Sequence, residues 1–152
     1  MGVLDNLAGM RLGDIGAVVS KASGAITGDP TTALFTVAGG EVLITALWLK
    51  VTTSITTDSG TIAINCVPTT GSTIVLVTAT DLGTTDTVAG SVVGLDQGTT
   101  AASKFLRGGR IKLGAVATTG VINLVGAASV NGAVTTYVGW YPLVAGATLV
   151  AA

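Results

Sequence analysis

Glu41-Val42-Leu43-Ile44-Thr45-Ala46-Leu47-Trp48-Leu49-Lys50 is the stretch on which the reading of the chain turns. Its apolar side chains fall on odd and even positions alike, so it lacks the alternation of a strand with one wet face. A buried helix and a fully covered strand both satisfy such a run. Gly39-Gly40 before it and Val51-Thr52-Thr53 after it favour the strand, because glycine pairs punctuate and β-branched residues suit an extended backbone. The run is expected to be a central strand, covered on one side by a second sheet and on the other by a neighbour, with Trp48 in the core.

Outward from this run, β-type segments follow one another at the spacing of an all-β sandwich or barrel. Strands are expected at 17–23, 33–38, 41–53, 61–67, 73–80, 88–95, 110–117, 121–127, 133–141 and 147–151. Between them lie turn signals such as Gly28-Asp29-Pro30, Asp58-Ser59-Gly60 and Pro68-Thr69-Thr70-Gly71. Gly39-Gly40 and Gly108-Gly109 read as hairpin turns. Asn131-Gly132 tolerates positive φ, which makes 130–134 a hairpin tip. Arg110 and Lys112 oppose Ile111, Leu113 and Ala115, giving one wet face and one packed face. Threonine adds a hydroxyl to a strand-favouring side chain, so it covers wet faces where charges are scarce. The fold expected is all-β, an antiparallel β-sandwich of jelly-roll-like type, built as one domain over residues 17–152.

Residues 1–16 differ. Leu4, Leu7, Ala8, Leu12, Ile15 and Val19 approximate one helical face, while Gly9, Gly13 and Gly16 each weaken a helix by about 1 kcal/mol relative to Ala. This reads as an N-terminal arm, part helical or extended, that orders against a partner. Asp5 and Asp14 interrupt it and no basic stretch leads it, so it is not expected to be a secretory signal, and synthesis in the cytoplasm fits.

Composition argues against an enzyme. The 152 residues include no histidine and one cysteine; 10% are charged and 49% hydrophobic. Seven Asp, one Glu, four Lys and three Arg are scattered along the chain. A nucleophilic Ser or Thr would lack a base. Asp58, Asp81, Asp86 and Asp96 fall at turns or strand ends without the spacing of a calcium loop, so neither metal nor cofactor is expected. Cys66 shares a strand face with Ile62 and Ile64 and reads as a small core hydrophobe. Mean hydropathy is +0.75, yet no apolar run approaches the roughly 20 residues of a spanning helix. Two Trp, two Tyr and two Phe are too few for the aromatic girdles of a membrane barrel. The surplus apolar surface is therefore assigned to contacts between subunits.

Net charge is −1 and the pI near 5.0, so no global field draws nucleic acid. The basic cluster of Lys104, Arg107, Arg110 and Lys112 lacks interleaved aromatics and reads as a solvated loop and strand edge. Candidate contacts with a partner or another subunit are Leu4, Leu7, Leu12 and Ile15 in the arm; Arg107, Arg110 and Lys112; and Tyr137, Trp140 and Tyr141. By alternation Tyr137 and Tyr141 share a side and Trp140 opposes them.

The C-terminal stretch Tyr141-Pro142-Leu143-Val144-Ala145-Gly146-Ala147-Thr148-Leu149-Val150-Ala151-Ala152 resembles the end of small tailed-bacteriophage virion proteins. There a strand closes on an aromatic-Pro-Leu element, followed by Gly-Ala and a short Ala-rich end. Ala33-Leu34-Phe35-Thr36-Val37-Ala38-Gly39-Gly40-Glu41-Val42-Leu43-Ile44-Thr45 is similar to the first hairpin of that group. The resemblance covers about a quarter of the chain and does not reach residues 55–130. It implies a capsid decoration or cement protein, a small β-rich subunit on the virion head, with the major capsid protein as partner and homotrimers favoured. The alternative is a tail or fibre module that binds the host surface.

Overall fold

The computed structural model describes residues 16–56, 60–82, 85–94, 115–128 and 130–152. Among the described residues ten strands form in chain order: β1 (Ala17–Ala22), β2 (Thr31–Ala38), β3 (Val42–Thr53), β4 (Thr61–Pro68), β5 (Ile74–Asp81), β6 (Val92–Gly94), β7 (Ala115–Ala117), β8 (Gly120–Ala127), β9 (Ala133–Pro142) and β10 (Thr148–Ala151). Among the described residues no helix is long and apolar enough to cross a membrane.

Two antiparallel sheets pack face to face. One runs β1-β9-β3-β6, with β7 also on β3; the other runs β10-β2-β8-β4-β5. β6 and β7 both lie antiparallel to β3, at Trp48–Lys50 and at Val42–Ile44 respectively. They form one interrupted strand, and residues 95–114 are inserted between its halves. Counted so, β1-β9-β3-β6/β7 faces β2-β8-β4-β5, which is jelly-roll order, with β10 added outside β2. The fold class read from sequence is therefore the one observed.

The inner faces interdigitate around Leu34, Phe35, Ile44, Leu49, Ile62, Ile64, Ile122, Leu124, Val134 and Val138, all buried. Apart from the adjacent Leu34 and Phe35, where the β2–β8 register shifts, these are side chains at alternate strand positions, the pattern that lets a pleated sheet bury one side. Cys66 lies among them and is fully buried. Lys21 Nζ donates to the Ala152 carbonyl oxygen, tying the β1 edge of one sheet to the chain end beyond β10 of the other.

Four expectations are corrected. First, β3 does alternate, but with a change of phase. Val42 and Ile44 point inward, then Leu47, Leu49 and Val51 do. The β9 register shifts between Ile44 and Ala46, so Thr45 is the extra residue of a β-bulge. One inserted residue swaps odd for even, which is why the run reads as apolar on both faces. Second, the same shift moves Trp48 out of the core: it is half-buried on the outer face of its sheet. Third, neither Gly39-Gly40 nor Asn131-Gly132 closes a hairpin. β2 and β8 belong to one sheet, β3 and β9 to the other, so both glycine turns carry the chain across the sandwich. At the second crossing Asn131 Nδ2 donates to Thr56 Oγ1 at 2.8 Å, and its Oδ1 accepts from Thr56 N at 2.9 Å. Gly132 takes φ +92°, and a Cβ there would collide with Ile55 and the Thr53 carbonyl. The Asn-Gly pair answers positive φ and close approach, but for an arch between sheets. Fourth, the expected strand over 88–95 starts only at Val92. Val88–Ser91 form a turn, with Ser91 N on Val88 O and Gly90 N on Val51 O.

Candidate functional site

The outer face of the β1-β9-β3-β6/β7 sheet gathers the aromatic side chains that sequence reading left scattered. Register places its outward residues in rows across the strands. Thr135, Lys50 and Val92 form one row. Ser20, Tyr137, Trp48 and Gly94 form the next. Val18, Gly139 and Ala46 follow, and Tyr141, Leu43 and Val116 complete the face. The Trp48 and Tyr137 rings stack with centroids 5.3 Å apart and planes 2° apart. Such a pair contributes about 0.5–1.5 kcal/mol beyond its area burial.

Among the described residues the face is nearly free of charge. The charged side chains among the described residues are Lys21, Asp29, Glu41, Lys50, Asp81 and Asp86, and Lys50 alone points outward from these rows. Its exposed aliphatic side chains sit at the margin: Val18 is 49% exposed, Val92 62% and Val116 42%. Leu43, Trp48, Tyr137 and Tyr141 fill the middle, half-buried by one another.

Of the candidate contacts, Tyr137 and Tyr141 stand on this face, as alternation predicts. Trp140 points the other way and packs against the core, so it is separated from them. Leu4, Leu7, Leu12 and Ile15, and Arg107, Arg110 and Lys112 with Lys104, lie outside the described residues. Their points of attachment are described. Gly16, at φ +73°, lies against Tyr141, and a Cβ there would collide with its ring and with the Trp140 carbonyl. Gly94 and Ala115, where residues 95–114 leave and rejoin the fold, pair with Trp48 and Ile44. The arm and the basic segment therefore join the sandwich on two borders of this sheet.

Sequence reading missed Trp48, Leu43, Val18, Val92 and Val116 as face residues. The signal was present in the broken alternation of 41–53: two apolar sets on one strand mean either burial on both sides or an apolar outer face.

At one end of the sandwich lie the loops after β1, β3, β5 and β8, with Asp29, Asp81 and Asp86 among the described residues there. They do not converge: among the described residues no group of three or more His, Cys, Asp or Glu is placed to hold a metal ion. Cys66 Sγ donates to Thr118 O at 3.9 Å. Burial pushes its thiol pKa up, outweighing a smaller lowering by the Thr118 backbone, which is the reverse of what an activated thiol needs. On the outer face of the other sheet Asn65 faces Asn123 in the β4-β8 register, with Val67, Val75 and Val150 exposed around them. Protein-family models, curated proteins and solved structures give no match to this chain.

Proposed function

We propose that the chain is a bacteriophage virion structural protein that decorates the head, binding the assembled capsid shell and stabilising it. The observation that carries this reading is spatial. The two segments that resemble phage virion proteins are far apart in sequence and adjacent in the fold. Leu43 pairs with Tyr141 and Val42 with Pro142 across β3 and β9; Ala38 pairs with Thr148 and Thr36 with Val150 across β2 and β10. The resemblance thus falls on one contiguous corner spanning both sheets, as a shared structural unit would.

The mechanism is thermodynamic and needs no catalytic group. A ligand that binds the assembled shell and not its dissociated subunits stabilises the shell by mass action. Association of copies, as trimers in the proteins it resembles, multiplies weak contacts into lasting attachment. The partner is the major capsid protein and the site of action the outer capsid surface, after synthesis in the host cytoplasm. Neither nucleic acid nor membrane takes part.

The stacked Trp48–Tyr137 pair, with Ser20, Thr135 and Lys50 beside it, favours a second reading: a tail or fibre module that binds host-surface glycans. Copy number separates the two. Gradient-purified virions quantified by mass spectrometry are expected to hold hundreds of copies. A handful per particle supports the tail module, and absence from the particle overturns both.

A further inference from the structure

We propose that the outer face of the β1-β9-β3-β6/β7 sheet is the surface through which one copy of this chain packs on a second copy. The inference deepens the reading above, resting on the association of copies that forms part of it, and is tested on the isolated protein.

Three features select a second copy as the occupant. The first is chemistry. The rows described above hold Trp48, Tyr137, Tyr141, Leu43 and four exposed or half-exposed valine and alanine side chains, with Lys50 as the single charge. A partner rich in charge would find only Lys50 to pair with there. An equally charge-free surface matches it, and the chain's own outer face is one. Aromatic side chains flanked by aliphatic ones are also the composition of interface centres.

The second is relief. The Ser20–Tyr137–Trp48–Gly94 row stands high in the middle because two large rings stack there. The next row, Val18–Gly139–Ala46, is low, since Gly139 lacks a side chain and is itself buried, and Ala46 has only a methyl group. The row after it, Tyr141–Leu43–Val116, is high again. High rows lie about 13 Å apart, four residues along a strand. A second copy offers the same ridges at the same spacing, so a ridge of each meets the low row of the other.

The third is area. Four strands at about 4.8 Å spacing and the ten residues of β9 give a flat footprint of roughly 600 Å² per copy. Side-chain relief adds to it. Two copies together then bury about 1,200 Å² or more, which reaches the size of specific, stable interfaces.

The experiment uses the full chain and reads mass by sedimentation. The wild-type protein is expected to be oligomeric at micromolar concentration. Val18→Glu and Val92→Glu place a carboxylate on exposed margins of the face and are expected to weaken association at least tenfold, with circular dichroism unchanged and the thermal transition losing its dependence on protein concentration. Val75→Glu, on an equally exposed position of the other sheet (60%), is expected to leave the oligomer intact. A wild-type monomer overturns the proposal, as does an oligomer that survives both margin substitutions or one that Val75→Glu dissolves. Each of these results leaves the copy number in virions, and hence the decoration reading, to its own test.

Discussion

Trp48 and Tyr137 meet as directly paired residues of β3 and β9, their rings parallel within 2° on the outside of the sandwich. The contact exists because Thr45 is an extra residue in β3. Without it, Trp48 would fall on the inner side and Leu47 and Leu49 on the outer. The bulge thus sets both the core on one side and the aromatic platform on the other.

A double-mutant cycle with Trp48→Ala and Tyr137→Ala is expected to give a coupling of about 0.5–1.5 kcal/mol in urea unfolding. Additive losses would show that the rings stack without mutual stabilisation.

Thr136 is fully buried, and its Oγ1 has no hydrogen-bond partner among the described residues. Thr136→Val keeps the shape and removes the orphaned hydroxyl, so it is expected to stabilise the fold by about 1–2 kcal/mol. A raised urea midpoint with unchanged slope is the signature; a lowered midpoint would mean that the hydroxyl is satisfied.

The arch that carries the chain from β8 to β9 depends on Asn131 and Gly132. Asn131→Ala removes both side-chain bonds to Thr56 and is expected to cost about 1–2 kcal/mol. Gly132→Ala adds a methyl group where φ is +92° and space is closed, with an expected cost of about 1–3 kcal/mol. Thermal unfolding of the two variants checks the order.

Cys66 is expected to react with thiol reagents only at the rate at which the fold opens, because burial both covers it and disfavours the thiolate. The folded pKa is raised above the ordinary value of 9.0. Between these two values the unfolded chain loses the proton and the native chain keeps it, so the unfolded state binds fewer protons and stability falls as pH rises. Below pH 9 this contribution is flat. Unfolding curves of wild type and Cys66→Ala, compared from pH 7 to 11, isolate it. Rapid labelling at pH 7 in the folded state would contradict the packing.

Deleting residues 2–15 is expected to leave the β signal and the thermal transition nearly intact while weakening attachment to capsids that lack the protein. β1 starts at Ala17, so the deletion spares every strand among the described residues. Full attachment by the truncated chain, or its failure to fold, would remove the arm from the docking role.

Strand positions were legible in the sequence because turn residues and alternating apolar positions are local signals. Ile62, Ile64 and Cys66, for example, declare the inner face of β4 on their own. The assignment of strands to sheets was not legible. Gly39-Gly40 and Asn131-Gly132 carry the same conformational demand in a hairpin as in an arch, and only the partners of the flanking strands distinguish them. The Thr45 bulge was hidden for a related reason: a phase change inside an apolar strand looks the same as burial on both faces. The outer aromatic face was lost with it, since Trp48 was placed on the wrong side.

The divided strand opposite β3 has a consequence for how this fold accommodates change. Gly94 and Ala115 are held on one line, opposite Trp48 and Ile44, roughly 13 Å apart at four residues of strand. Twenty residues, 95–114, join those two ends in sequence, and the order of both sheets among the described residues is set without them. The strand made of β6 and β7 therefore serves as a splice site. Sequence between its halves is free to lengthen, shorten or be exchanged for a foreign peptide while the jelly roll beneath keeps its topology.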